Sequence, residues 1–131
     1  ELYHTPSYSS MKKRDPIVYI SDMLNYCESA LSFISGLNYS SFIKDEKSIF
    51  AVIRAIEVIG EASKKVPKSI KEKYFKIPWR EIAGMRDKLV HEYFGINRKV
   101  VWNTVKHDIP VLKEQIEVII KEIIIDPKLR F

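Results

Sequence analysis

Asp15-Pro-Ile-Val-Tyr-Ile-Ser-Asp-Met-Leu-Asn-Tyr-Cys-Glu-Ser-Ala-Leu-Ser-Phe-Ile-Ser-Gly36 decides how the rest of the chain folds. An aspartate before a proline is a helix start: the carboxylate accepts from orphan N–H groups, and proline suits the first helical position. Ile17, Ile20, Met23 or Leu24, Cys27, Leu31 and Ile34 then recur at helical spacing until Gly36 stops them. The same grammar repeats outward. Asp45 opens a second helix carrying Ile49, Val52, Ile53, Ile56, Val58, Ile59 and Ala62, ended by Pro67. Asn38 to Ser41 read as the turn between these two helices, and a short helix follows from Pro67 to about Tyr74. Pro78 opens a fourth, predicted to run through Ile82, Met85, Leu89 and Val90 to Phe94, with Gly95 as its stop. Asn97 caps a segment with Val100, Val101, Trp102 and Val105; Pro110 interrupts it, and the pattern resumes through Leu112, Ile116, Ile119 and Ile120 to Ile125. No strand pattern or internal repeat competes. The expected fold is all-α, an antiparallel bundle of four to five helices with the last one kinked at Pro110. That last helix is apolar on more than one face, which implies burial on several sides and hints at self-association.

A chain of 131 residues makes one domain able to bury a single core. Residues 1–10 show no periodicity and precede Met11; they read as a disordered leader or an appended tail, with a short native extension as the alternative, and leave 11–131 as the helical domain. Cys27 is the only cysteine, so neither an intramolecular disulfide nor a cysteine-based zinc site is possible within one chain. No apolar run is long enough to cross a membrane and no secretory signal is visible, so the expected compartment is the cytoplasm. Net charge is +5. Between Lys64 and Arg80, lysines including Lys68, Lys71, Lys73 and Lys76 interleave with Tyr74, Phe75 and Trp79, against a lone Glu72. Such a mixture suits single-stranded nucleic acid, where phosphates are neutralised and bases stack. It equally describes a solvated helix face whose aromatic rings point inward, and the bland reading leads.

The chemistry concentrates in Arg86-Asp-Lys-Leu-Val-His91-Glu-Tyr93. A fixed cation, a group that titrates near neutrality and a phenol are tools for handling phosphate esters. On a continuous helix Arg86 and Tyr93 share a face, whereas His91 lies about 140° around the axis from Arg86. Asp87, four residues before His91, would then be placed to hold the imidazole. One helix does not bring Arg86 and His91 tightly together; a long arginine side chain or two copies meeting across a symmetric interface would. The plain alternatives are a surface Asp87–His91 pair, an Arg86 bridge to a carboxylate such as Glu61, and a core role for Tyr93. Asp108, beside His107, reads as a cap before Pro110.

Three ordered segments resemble one family. Pro78-Trp-Arg-Glu-Ile-Ala-Gly-Met-Arg-Asp-Lys-Leu-Val-His-Glu-Tyr-Phe-Gly95 is similar to the signature of the HEPN superfamily, specifically its HepT-like branch. Ile56-Glu-Val-Ile-Gly-Glu-Ala62 resembles its second-helix motif, and Val101-Trp-Asn-Thr-Val105 with Asp108-Ile-Pro-Val-Leu112 its last segment. The likeness spans about Asp15 to Ile125. It implies an HEPN-like bundle and a metal-independent endoribonuclease that needs no cofactor, the toxin of a toxin–antitoxin pair of type VII-like organisation. Carried over by position, Arg86 and His91 would cut RNA at a homodimer cleft, with Asp87 supporting and Lys88, Arg80 and Lys76 as RNA-binding candidates. A minimal nucleotidyltransferase antitoxin would silence the toxin by transferring AMP to Tyr93. The alternative is a non-catalytic HEPN module that binds a nucleotide or assists a nucleotidyltransferase.

Overall fold

The computed structural model describes residues 15–91 and 95–130. The leader at 1–10 and the tyrosine at position 93 lie outside them. Asp15 starts α1 (Pro16–Phe33) as expected, its carboxylate accepting from the Ile17 N–H. Asn38 and Ser41 form a reciprocal capping box, so the anticipated turn is a one-turn helix, α2 (Tyr39–Phe42). Asp45 caps α3 (Glu46–Lys64) through the Ser48 N–H. The short α4 (Lys68–Lys73) follows Pro67.

Helix α1 packs against both α3 and the last long helix, α8 (Ile109–Ile125). Ile20, Met23 and Cys27 of α1, Val52, Ile56 and Ile59 of α3, and Ile116, Ile119 and Ile123 of α8 are fully buried together. Most of the periodic positions thus form one core, with Met23 fully buried in it and Leu24 packed half-buried against it, whereas Ile125 is exposed. Phe42 closes one end, its ring 5.2 Å from that of Trp102.

The fourth helix does not run from Pro78 to Phe94. It splits at Gly84 into α5 (Trp79–Ala83) and α6 (Met85–Leu89), and Val90 is already extended, at φ −126° and ψ 120°. Val90–His91 (β1) pairs antiparallel with Gly95–Ile96 (β2), Val90 opposite Ile96 and His91 opposite Gly95. The Leu89 carbonyl accepts from the Asn97 N–H at 2.8 Å, an interaction that ends the helix. Gly95, at φ +75°, occupies a left-handed conformation costly for any other residue.

Asp108 does not act as the expected cap: its backbone is helical and its side chain makes no capping bond. Asn97 does cap α7 (Arg98–Asn103), accepting from the Val100 N–H. The chain then passes through a π-helical turn (Thr104–Asp108) straight into α8. Proline lacks an N–H and its ring crowds the carbonyl four residues back. The interruption expected at Pro110 is this wider turn, in which the Ile109 N–H reaches back to the Thr104 carbonyl. Helix α8 buries one stripe only; Val111, Val118, Ile124 and Ile125 stay exposed. Among the described residues no helix is long and apolar enough to cross a membrane.

Candidate functional site

Arg86 is placed by a close helix crossing. A Cβ on Gly60 of α3 would lie 3.1 Å from the Ile82 carbonyl oxygen and 3.3 Å from that of Ala83, so glycine lets α5 lie directly on α3. One turn earlier on α3, Glu57 Oε2 is 3.5 Å from Arg86 Nε, and Asp87 Oδ1 is 3.6 Å from Arg86 Nη1. The carboxylate partner is therefore Glu57 and not Glu61, which pairs with Lys64 at 3.1 Å. Both contacts to Arg86 are longer than ordinary hydrogen bonds, and its side chain remains 45% exposed. Glu57 and Asp87 orient the guanidinium without locking it, and an anion can still approach. A concavity of about 400 Å³ beside it includes Gly60, Lys64 and Ala83.

His91 sits elsewhere. It is exposed on β1 and lines a concavity of about 420 Å³ with Gly95, Ile96, Asn97 and Arg98. Arg98 is fastened by donating to the Ile43 carbonyl and by Glu46 at 3.6 Å. The helix that was to place Asp87 beside His91 ends at Leu89, so that geometric argument fails. Within one chain Arg86 and His91 line different concavities.

The RNA-binding candidates divide similarly. Lys88 lines a groove between α5, α6 and α8, whereas Lys76 lines a neighbouring one beneath Phe75. Arg80 is exposed and lines neither. Of the three interleaved aromatics, Tyr74 and Trp79 are half-buried and Phe75 is 72% exposed. Burial, then Glu28, pushes the Cys27 thiol up to about 12, which removes it as a nucleophile. Among the described residues no three His, Cys, Asp or Glu side chains are grouped to hold a metal.

The model of the family described as "Ribonuclease HepT-like" matches residues 23–119, spanning α1 to α8. The chain belongs to the HepT-like family. Among its relatives, "Putative RNase MJ0125" of Methanocaldococcus jannaschii is 48% identical over 113 residues, 86% of this chain and 97% of that protein. The "Probable ribonuclease HepT" of Thermococcus cleftensis is 48% identical over 105 residues, 80% of this chain and 96% of that protein. No solved structure matches significantly. For this HepT-like chain, sequence reasoning missed Glu57 as the arginine's partner and Arg98 as the histidine's neighbour. Glu57 lay inside the quoted second-helix motif, three residues before Gly60, but only the fold shows which cation it meets.

Proposed function

We propose that this protein is an endoribonuclease toxin that cuts RNA with Arg86 and His91 at a cleft shared by two copies. The observation that carries the reading is that both side chains are exposed on concave surface, in a chain of a family named for a ribonuclease. RNA supplies its own nucleophile, since a 2′-OH can attack the adjacent phosphate, breaking the bond to the 5′-oxygen of the next nucleotide, which leaves as a hydroxyl once protonated, and closing a 2′,3′-cyclic phosphate. The enzyme then needs proton transfer and charge stabilisation. His91 moves the proton, and Arg86 meets the extra negative charge that builds on the phosphorane. Asp87 steadies Arg86 from one side. Lys88, Arg80 and Lys76 hold flanking phosphates. No step calls for a metal. The separation of Arg86 and His91 within one chain favours a composite site, one copy supplying each residue.

Control follows from the same motif. A nucleotidyltransferase antitoxin transfers AMP from ATP to the phenol oxygen of Tyr93, two residues beyond His91, releasing pyrophosphate. The added phosphate and nucleoside obstruct the cleft by charge and by bulk. The second reading, a non-catalytic partner-binding module, is favoured by one fact: Arg86 already has two carboxylates near it.

The deciding experiment compares His91→Ala with the parent protein on RNA in the presence of a chelator. The expected outcome is loss of cleavage, with fold and dimer retained. A purified parent protein that cuts no RNA, with His91→Ala indistinguishable from it, sinks the enzyme reading in favour of the module. Mass spectrometry after incubation with the antitoxin and ATP should place an AMP adduct on Tyr93; an adduct elsewhere removes that tyrosine from the proposal.

A further inference from the structure

The geometry points to a base-stacking subsite for single-stranded RNA on Phe75, in a concavity lined also by Lys73, Lys76 and Gln115. The inference rests on the ribonuclease reading and adds to it where a strand is gripped away from the scissile bond.

Two hydrogen bonds fix the chain around Phe75. Tyr74 donates its hydroxyl to Glu122 of α8, and the Trp79 indole N–H donates to the Tyr74 carbonyl at 3.1 Å. These bonds fasten the backbone on which Phe75 is carried and turn its neighbours inward. Phe75 is left outward, 72% exposed, on a fixed support. Single exposed apolar side chains are common and need no explanation. This one is different in its surroundings. It rims a concavity of about 350 Å³ shared with Lys73, Lys76, Ile77, Gln115 and Val118.

That combination matches the chemistry of an unpaired nucleotide. A nucleobase presents a flat face to an aromatic ring, an edge of donors and acceptors to an amide, and a phosphate to an ammonium group. Phe75 supplies the ring, Gln115 the amide, and Lys73 and Lys76 the charge. Gln115 also lines a second groove of about 260 Å³, which Met85 and Lys88 of α6 line as well. A strand lying on Phe75 is thereby led toward the helix that carries Arg86. Glu81 and Asp108, on the walls of that second groove, can only accept hydrogen bonds when ionised, which suits exocyclic amino groups of bases and repels phosphates. The phosphate path therefore follows the lysine side.

The probe is a fluorescently labelled, mixed-sequence single-stranded 2′-O-methyl oligonucleotide, which has no free 2′-OH and is not cut. Anisotropy titrations of the full chain should show Phe75→Ala and Phe75→Leu each weakening binding about tenfold, the scale of one lost base–aromatic stack. Phe75→Trp should bind as well as the parent. Leucine keeps the apolar bulk but lacks the π-face, so it separates stacking from mere apolar contact. Lys73→Gln with Lys76→Gln should flatten the salt dependence of log affinity by about 0.7 per lost phosphate contact. The proposal is overturned if the parent does not bind the probe, or if Phe75→Leu binds like the parent. It is equally overturned if Phe75→Ala dissociates a dimer in sedimentation while leaving probe affinity unchanged, which marks a protein interface. Failure of the ribonuclease reading looks different: the probe binds through Phe75, but no RNA is cut. Conversely, a parent that cuts RNA with a KM unmoved by Phe75→Leu removes the subsite and leaves the nuclease standing.

Discussion

Gly60 shows how a single side chain, or its absence, sets the site. The carbonyl oxygens of Ile82 and Ala83 lie so near its Cα that a methyl group would meet both inside normal contact distance. Backbone cannot swing aside as a flexible side-chain tip can. Gly60→Ala is expected to cost about 1–3 kcal/mol, the usual range for overpacking, despite alanine's better helix propensity. A thermal melt checks the sign: a raised Tm would mean that α5 yields easily. The same crossing brings Arg86 over Glu57, so the variant should also disturb the guanidinium. Arg86 was legible in the sequence as a candidate because an arginine five residues from a histidine is a local pattern. Glu57 was not, because its pairing depends on two helices distant in sequence crossing at Gly60.

The elements divide in the same way, by whether their determinants are local. Helix starts at Asp15, Asp45 and Asn97 were readable, since each cap is a side chain accepting from an N–H two or three residues on. The end of α6 was not. Its residues favour a helix well enough, but the Asn97 N–H returns to Leu89 and the hairpin takes over at Val90. Helical arithmetic applied across that boundary misplaced His91 relative to both Asp87 and Arg86. The hairpin makes its own demands. Gly95→Ala forces a Cβ into the left-handed region at φ +75°, and about 1–2 kcal/mol of destabilisation is expected. Asn97→Ala removes the α7 cap and should cost about 1 kcal/mol. Hydrogen exchange provides the check: protection should fall first at Val100 and Val101 in the second variant and at the β1–β2 pair in the first. Uniform loss across all helices would contradict this local assignment.

For the molecule as a whole, the buried thiol gives stability a dependence on alkaline pH. Folding holds the Cys27 proton up to about pH 12, against an ordinary value of 9.0, so above pH 9 the unfolded chain releases a proton that the folded chain keeps. Stability from this source is complete below pH 9 and falls as pH rises from 9 toward 12. The Tyr74 hydroxyl, pushed up chiefly by burial and then by Glu122, acts in the same direction. Thermal melts across that range should show a steeper decline for the parent than for Cys27→Ala, which starts lower but flatter. Alkylation at pH 8 should leave native Cys27 untouched and label it on unfolding; rapid native labelling would show the site opens. At this scale the all-α bundle and its core were legible from periodicity alone, and the apolar outer face of α8, with Val111 and Val118 exposed in the single chain, is the face for which the sequence hints at self-association. The placing of Arg86 and His91 on separate concavities has a genetic consequence. If one copy's arginine serves with the other's histidine, Arg86→Ala and His91→Ala chains are each dead alone, yet a mixed dimer of the two holds one intact pair. Co-expression of two inactive alleles should then restore toxicity to a cell that tolerates either, and a site built within one chain would show no such rescue.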